Sequence, residues 1–473
     1  MNREIDRNWD DDISGAVLRF KNSLVSGHKK YFDVSEFEGI VEQLLEEGDL
    51  ESSEIAARQG MQMHPNAVQL QLKYAQVLIS IGRYNEARRY LDIAERLEKN
   101  NPDVYLLKGS VWLTLGDEKS AAKAFGKAIK YAGGETDEIL YHIASSYVQT
   151  GEIKKAITYL EKALRCNAGN ELVLYDLAFF LDQVGDYQKS IMYYNRFIDI
   201  DPYNYTAWFN LGVVCSKAEL YNEAIEAYEY TLAINDSFYL ALFNIGNALA
   251  NDGNFHEAIE KYKEYLEFEP ENDDAFCYLA ECYLNIDSTR KAEHYYHEAI
   301  DINPENDTAW FGIGLVYWVN EKYEESIRYI RKAIKRDNQN SEYWLTLGKV
   351  YKDTGRMQEA WRSFKKGSKT EAENTELWLV WAETLRESGE KETAVQVLKQ
   401  AIAVNDDSML KYRLVAFLLE DRKQKKAFEW LKIAMEQDFE NLDYLFNIYP
   451  KSLKSVRLKK VVEEFKKENE DRT

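Results

Sequence analysis

The sequence has little of what disulfide-bonded, secreted or membrane-spanning proteins contain. Only four of its 473 residues are cysteines, and no two of them form a Cys-x-x-Cys pair. A disulfide framework is therefore not predicted, and a reducing compartment is favoured. No stretch approaches the roughly 18 consecutive apolar residues of a membrane-spanning helix, and the charged segment 1–12 lacks the apolar region of a secretory signal. We therefore expect a cytoplasmic protein that does not insert into membranes.

Positive charge is scarce as well. The chain carries 60 Lys and Arg residues against 81 Asp and Glu residues, which gives a formal net charge of −21. Because nucleic acids and anionic membranes attract surfaces dense in Lys and Arg, neither is predicted as a partner. The 33 Tyr, 20 Phe and 10 Trp residues exclude disorder along most of the chain. Since a single core stops growing at roughly 250–300 residues, several domains or an elongated array are predicted.

Residue patterns that carry catalysis or bind cofactors are missing. The sequence has no phosphate-binding loop of the Walker type, no Gly-x-Gly-x-x-Gly and no Gly-x-Ser-x-Gly. His294 and His297 have the spacing of one helix face, but a zinc site needs further ligands. Cys277 and Cys282 lie on one predicted helix without a histidine in register, so buried and unreactive thiols are predicted. We expect no enzyme activity, no metal and no cofactor.

The strongest signal in the sequence is a period of 34 residues. A small residue recurs along the chain at steps of 33 to 35 residues. Its occurrences are Ser53, Ala87, Ala121, Ala156, Ser190, Ala224, Ala258, Ala292, Ser326, Ala360, Ala394 and Ala427. Such self-similarity is typical of a repeat architecture, and twelve units span 34–441. We number positions from the first residue of each unit, so that this small residue has position 20.

Each unit contains two helical patterns. In the unit that begins at Tyr205, apolar or small residues occupy positions 4, 7, 8 and 11, the spacing of one helix face. Ala224 and Tyr228, at positions 20 and 24, share a face of a second helix. Glycine inside a helix costs about 1 kcal/mol relative to alanine, so glycine at position 8 predicts a close approach of the two helices. That glycine is found at Gly109, Gly212, Gly246, Gly314 and Gly348. Proline is predicted to end the second helix at position 32, at Pro65, Pro202, Pro270 and Pro304.

This helix–turn–helix pattern resembles the tetratricopeptide repeat family. The resemblance covers about twelve repeats, over 34–441, and is best between 171 and 407. It implies an all-α fold, an α-solenoid superhelix of stacked helix–turn–helix repeats with a concave inner surface. Because terminal repeats must be covered, 1–33 is predicted as an N-terminal capping helix and 442–473 as a C-terminal capping helix with a basic tail.

The two flanking segments are amphipathic. The first is predicted to form a helix from Ile13 to Leu24 with one apolar side, made by Val17, Leu18, Phe20 and Leu24. The tail from Lys451 has eight basic and five acidic residues. It is interpreted either as a contact for an acidic partner or the acidic body of the chain, or as a solvated capping helix. In the second case the residues that point inward are Val456, Leu458, Val461, Val462 and Phe465.

The resemblance also implies where partners bind. In the family, positions 2, 5, 6 and 9 of the first helix line the groove, and position 5 is mostly aromatic in the middle of this array. The predicted partner-binding groove contains Tyr141, Tyr175, Phe209, Asn210, Phe243, Asn244, Asn247, Tyr278 and Phe311. The aromatic residues are interpreted either as anchors for a partner segment or as contacts between adjacent first helices. Asn210 and Asn244 resemble asparagines that contact a peptide main chain, since an amide offers a donor and an acceptor together.

One known ligand class of the family does not fit. Binding of chaperone C-terminal carboxylates needs basic residues at positions 5 and 6. No unit has Lys or Arg at position 5, and position 6 is basic only at Lys73 and Arg413. Acidic residues at position 2 would repel such a ligand. The sequence therefore predicts other proteins or extended peptide segments as partners, and no chaperone carboxylate.

Three functions are compatible with these features. The first is a non-catalytic scaffold or adaptor that binds partner segments in its concave groove. The alternative is a regulatory or targeting subunit of an enzyme complex, in which the array presents a substrate to another chain. The third is a self-assembling structural element whose end repeats stack between molecules, and the acidic net charge disfavours it.

Overall fold

Each predicted repeat folds into two helices joined by a tight turn. The computed structural model describes residues 2–26 and 30–470, and all the regular structure within those residues is helical. Residues 1, 27–29 and 471–473, which belong to the predicted flanking segments, lie outside the described residues. The all-α repeat fold predicted from the 34-residue period is therefore confirmed.

The chain divides into two compact units, Met1–Ser237 and Phe238–Thr473. The first unit contains one leading helix and six helix pairs, which are repeats 1 to 6. Its helices are α1 (Asn2–Ser26), α2 (Val34–Glu46), α3 (Leu50–Met63), α4 (Val68–Ser80), α5 (Tyr84–Leu97), α6 (Pro102–Thr114), α7 (Glu118–Tyr131), α8 (Thr136–Gln149), α9 (Ile153–Cys166), α10 (Glu171–Gln183), α11 (Tyr187–Ile198), α12 (Tyr205–Lys217) and α13 (Tyr221–Ile234).

The second unit contains six further pairs, repeats 7 to 12, and two closing helices. Its helices are α14 (Leu240–Asn251), α15 (Phe255–Phe268), α16 (Asp273–Asn285), α17 (Thr289–Ile302), α18 (Asp307–Val319), α19 (Tyr323–Arg336), α20 (Ser341–Asp353), α21 (Met357–Thr370), α22 (Thr375–Glu387), α23 (Lys391–Val404), α24 (Ser408–Glu420), α25 (Gln424–Gln437), α26 (Leu442–Ile448) and α27 (Val456–Glu470). Short 3₁₀ turns occur at Gly133–Glu135 and Pro450–Lys454.

The turn inside each repeat has a left-handed residue at position 15. Glycine adopts this conformation without a steric penalty, and it occupies the position in eight repeats. These glycines are Gly48, Gly82, Gly116, Gly151, Gly185, Gly253, Gly355 and Gly389. The other four repeats place a residue with a side chain there, at Glu219, Asp287, Glu321 and Arg422, with φ of 58–60°. The turn geometry is thus the same in all twelve repeats although its sequence differs.

The glycine at position 8 allows the two helices of a repeat to pack closely. A Cβ atom added to Gly212 would lie 2.6 Å from Cε1 of Tyr228, the position-24 residue of the same repeat. The same relation joins Gly109 to Phe125, Gly246 to Tyr262, Gly314 to Ile330 and Gly348 to Phe364. The packing reason predicted for these glycines is therefore confirmed. Proline at position 32 follows the end of the second helix, as predicted.

Apolar cores fill each unit. One cluster of buried side chains extends from Ala16 to Val111 in the first unit, and another from Phe311 to Phe465 in the second. Val17 and Phe20 of α1 are buried against repeat 1, but the prediction was wrong for Leu18, which is exposed. At about 100° per residue, Leu18 points away from the face that Val17 and Phe20 share, and Ala16 is buried instead.

The closing helices bury part of the predicted apolar face. Leu458 and Phe465 of α27 are buried, and the Phe465 ring stacks on Phe439 with 5.7 Å between centroids. Val456 is 83% exposed, so its predicted inward position was wrong. It is the first residue of α27, where little of the core lies within reach. No helix among residues 2–26 and 30–470 is long and apolar enough to cross a bilayer.

Candidate partner-binding groove

The first helices of repeats 1 to 4 surround a cavity of about 490 Å³. Most of its lining residues have positions 2, 5, 6 and 9, and a few lie one turn further along. They are Glu38, Gln69, Leu72, Lys73, Gln76, Ile79, Ser80, Asp103, Leu106, Leu107, Ser110, His142, Ser145, Ser146 and Gln149. In the first unit, therefore, the first helices form a concave surface from the positions that line the groove in the family.

The cavity in the first unit combines unpaired amides with a partly apolar wall. The side-chain amides of Gln69, Gln76 and Gln149 have no hydrogen-bond partner among the described residues. Leu106 and Leu107 contribute apolar surface between them. Amide groups that lack an internal partner remain available to a ligand main chain, whose N–H and C=O groups they match.

Charges in this cavity are partly balanced. Lys73 at position 6 forms an ion pair of 3.1 Å with Glu42, one repeat earlier. Burial raises the pKa of Glu38, while Lys73 acts in the opposite direction and Glu42 adds to the rise. A partner that donates a hydrogen bond to the Glu38 carboxylate would compensate for the hydration that this carboxylate loses on burial.

The aromatic residues predicted at position 5 contact the neighbouring repeat in the first unit. The Oη of Tyr141 donates to Oδ2 of Asp176 at 2.8 Å. Asn210 donates through Nδ2 to the Oη of Tyr175 at 2.7 Å. Position 5 of one repeat thus contacts position 6 of the next. Burial, followed by the hydrogen bond to Asp176, raises the pKa of Tyr141 to about 12.

The remaining aromatic residues of the prediction also have ring partners. The Phe209 ring lies 5.6 Å from that of Tyr228, its position-24 neighbour. In the second unit the Phe243 ring lies 5.5 Å from Tyr278. Phe311 is 6% exposed and packs on Tyr343 at 4.5 Å. Tyr278, by contrast, is 44% exposed, so these predicted residues differ widely in what they present to solvent.

A cavity of about 430 Å³ in the second unit includes two predicted residues, Asn247 and Tyr278. The Oδ1 atom of Asn247 accepts a 2.7 Å hydrogen bond from Tyr262, which leaves its Nδ2 group without a partner among the described residues. The other lining residues are Ala250, Asn251, Phe255, Tyr262, Glu281, Cys282 and Asn285. Asn244 is half-buried on α14 and does not line this cavity.

Several amides that line the two cavities were not predicted from the sequence. Gln76 has position 9, and Gln149 has position 13, as do Asn251 and Asn285 of the second unit. Position 13 lies about one helical turn beyond position 9, so both reach the same face. Gln69 and Gln76 have groove positions but lie outside the middle repeats in which the groove was predicted, whereas position 13 was not among the predicted groove positions.

The thiols and histidines form no reactive cluster in the described part of the chain. No group of three or more His, Cys, Asp or Glu side chains there is arranged to hold a metal ion. Burial raises the pKa of Cys215 to about 11 and that of Cys282 to about 12. Cys277 is buried too, and its Sγ donates to Oδ1 of Asn306 at 3.8 Å. Such thiols are poor nucleophiles at neutral pH, as predicted for Cys277 and Cys282.

Comparison with protein families assigns the repeats. Models described as tetratricopeptide repeat match 44–111, 137–170 and 175–237. The model of the cilia and flagella-associated protein 70 C-terminal domain, which is itself a tetratricopeptide-repeat model, matches 238–443. The chain belongs to the tetratricopeptide-repeat proteins. These repeats form, in general, scaffolds for protein interaction and are typically non-catalytic. The match to the cilia and flagella-associated protein 70 model begins at Phe238, the first residue of the second compact unit.

Several solved structures are similar in part. The Cut9–Hcn1 hetero-tetramer of the APC/C is 13% identical, with 78% of this chain and 94% of that chain covered and a TM-score of 0.38. YrrB, described as a TPR protein with an unusual peptide-binding site, is 20% identical, with 38% and 92% covered and a TM-score of 0.32. MamA from Desulfovibrio magneticus RS-1 is 20% identical, with 36% and 97% covered and a TM-score of 0.34. At TM-scores this low, these likenesses carry no information on function. No curated protein matches the chain significantly.

Proposed function

We propose that the protein is a non-catalytic adaptor that binds extended segments of partner proteins on the face of its first helices. The observation that supports this most directly is the 490 Å³ cavity of the first unit. It is a concave site formed by equivalent positions of four successive repeats. A site built along consecutive repeats suits a segment that runs across them, because each repeat offers the same positions to the next part of the ligand.

The chemistry of the cavity suits a polypeptide main chain. Gln69, Gln76 and Gln149 each offer a donor and an acceptor that nothing else uses among the described residues. Main-chain amides of a bound segment need such partners, since they lose water on binding. Leu106 and Leu107 offer apolar contact for alternate side chains. The same reasoning extends the proposal, within the second unit, to the cavity at Asn247 and Tyr278.

The predicted residues Tyr141, Tyr175, Asn210 and Phe209 take a different role in this proposal. Their polar atoms and rings already contact neighbouring side chains, so they fix the shape of the face rather than pair with the ligand. We place the protein in the cytoplasm, because its thiols are unpaired and three of the four are buried.

The experiment compares two double variants of the full chain. Peptides that bind the immobilised protein are first selected from a displayed library. Their affinity is then measured for the wild type and for Gln76→Ala/Gln149→Ala, which removes two groove amides. Gln62→Ala/Gln188→Ala is the matched control, since both residues are exposed on second helices. We expect the groove variant to bind about ten- to thirty-fold more weakly, as two lost hydrogen bonds predict. Equal affinities for both variants would refute binding in this groove.

A further inference from the structure

The second unit also has a cleft of about 430 Å³ that is separate from the cavity at Asn247 and Tyr278. It lies between α19 and α21, the second helices of repeats 9 and 10. Its floor comes from Ile334 and from α20 residues Leu347 and Tyr351, which are buried. Its rim carries five basic side chains and one acidic residue, Glu359. The basic residues are Arg331, Arg362, Lys365, Lys366 and Lys369. We call this surface the basic cleft.

The basic cleft stands out in an acidic chain. The final nine residues of α19 include five cations and no carboxylate, at Arg328, Arg331, Lys332, Lys335 and Arg336. Nearby cations outside the cleft do form ion pairs, such as Lys349 with Glu376 and Lys352 with Glu387, both at 2.7 Å. None of the five basic residues on the rim has a carboxylate partner among the side chains that the structure describes. The rim cations therefore form no ion pairs there, and the cleft keeps a net positive charge.

Aromatic rings hold some of these cations in place. The Nζ atom of Lys366 lies 4.6 Å from the ring centroid of Trp344, which lines the cleft. Beside the cleft, Nζ of Lys332 lies 3.9 Å from the centroid of Trp310. Burial lowers the pKa of Lys332, and the neighbouring Arg328 and Arg336 lower it further. Like charges held this close repel one another, and a bound anion would relieve the repulsion.

We propose that the basic cleft is a second interaction surface, which binds an acidic segment of a partner protein. Its rim lies on second helices, whereas the groove proposed above is formed by first helices. Carboxylates of the segment would pair with the rim, and its apolar side chains would cover Trp344 and the floor. A nucleic acid fits less well, because the net charge of −21 repels a long phosphate backbone that extends beyond the cleft.

The length of the cleft determines the length of the peptide used as a probe. Helix α21 has 14 residues, so it rises about 21 Å, and an extended peptide covers that length with about seven residues. The probe is a fluorescein-labelled peptide of alternating Glu and Gly of about this length, and a Gln–Gly peptide is the neutral control. Fluorescence anisotropy is measured with the full chain over a range of salt concentrations.

Two variants with equal loss of charge test the site. Arg362→Gln/Lys366→Gln removes two rim cations, and Lys425→Gln/Lys426→Gln removes two exposed cations of α25 that have no carboxylate partner among the described residues. We expect about tenfold weaker binding of the Glu–Gly peptide by the rim variant and less than about twofold change for the control. Circular dichroism verifies that both variants keep their helices.

Three outcomes would overturn the proposal. Equal weakening by both variants would mean that the peptide senses only net charge. Equal binding of the Gln–Gly peptide would mean that the rim cations have no role. If a single-stranded oligonucleotide of similar length competes with the Glu–Gly peptide and binds more tightly, that result would show that the basic cleft binds nucleic acid rather than an acidic protein segment.

Discussion

The side-chain amide of Asn210 donates a 2.7 Å hydrogen bond to the hydroxyl of Tyr175, one repeat earlier in the chain. Between the same two positions one repeat earlier the direction is reversed, and the hydroxyl of Tyr141 donates to Oδ2 of Asp176 at 2.8 Å. In repeats 5 and 6, therefore, the residue at position 6 is fixed by the residue at position 5 of the preceding repeat through a polar contact. Because each repeat contacts mainly its neighbours, such contacts contribute to the interface term of solenoid stability.

Removing this contact should weaken the first unit. We expect Asn210→Ala to lower the free energy of unfolding by about 1 kcal/mol, the usual net value of a hydrogen bond in a protein. Asn244→Ala is the matched control, because Asn244 has the same position in repeat 7 and no hydrogen-bond partner among the described residues. Its effect should stay within about 0.5 kcal/mol. Urea unfolding measures both, and equal losses would show that the contact contributes nothing.

The glycine at position 8 gives a second prediction. Gly212→Ala forces a Cβ atom against the Tyr228 ring, and overpacking of this kind costs about 1–3 kcal/mol. Gly126→Ala is the control, since Gly126 lies inside α7 with nothing within 4 Å of an added Cβ. There the better helix propensity of alanine should stabilise the protein by up to about 1 kcal/mol. Opposite signs in thermal unfolding are expected, and equal signs would contradict the packing argument.

Much of the fold follows from the sequence because the repeat period encodes it. Each repeat buries the same positions, so one register predicts the twelve helix pairs and the role of glycines such as Gly212 and Gly348. The division after Ser237 was not predicted, because the 34-residue period continues through it without a change in composition. The ends were predicted less well, since Leu18 and Val456 lie where no neighbouring repeat enforces the pattern.

The candidate groove was predicted by position but not by partner. Positions 5 and 6 do face neighbouring first helices, yet the sequence could not tell that Asn210 would bond to Tyr175 while Asn244 would not. That bond depends on the side chain that position 5 of the preceding repeat presents, which is Tyr175 for Asn210. The basic cleft was not predicted, because its rim lies on the second helices α19 and α21, whereas all the positions expected to bind partners lie on first helices.

The left-handed turn residues give a third prediction. Glu219 has φ of 60°, where a side chain costs roughly 1–2 kcal/mol relative to glycine. After allowance for the greater freedom of glycine in the unfolded chain, Glu219→Gly should stabilise the first unit by about 0.5–1 kcal/mol. Ala218→Gly, one residue earlier at φ of −85°, has no strain to relieve and should destabilise it by a similar amount. Chemical denaturation measures both, and a destabilising Glu219→Gly would refute strain at this turn.

Acid should weaken the first unit through Glu95. Burial acts to raise the pKa of this carboxyl, but ion pairs and hydrogen bonds from Lys108, Tyr105 and Lys127 outweigh it and lower the pKa from 4.5 to about 2. A lowered folded-state pKa stabilises the fold above the unfolded-state value, and this stabilisation is lost as pH falls from 4.5 towards 2. We expect the difference in the free energy of unfolding between the wild type and Glu95→Gln to shrink by about 1–2 kcal/mol across that pH window, after allowance for solvent screening.

The comparison with a control variant separates Glu95 from the other carboxyl groups, which titrate in the same range. Glu229→Gln changes an exposed residue of α13 that forms no ion pair among the described residues. We expect its difference from the wild type to change less with pH than that of Glu95→Gln, because Glu229→Gln removes no ion pair. Urea titrations of the three proteins between about pH 6 and pH 2.5 measure these differences. If Glu95→Gln and Glu229→Gln give parallel curves, the network around Lys108 does not stabilise the charged form of Glu95.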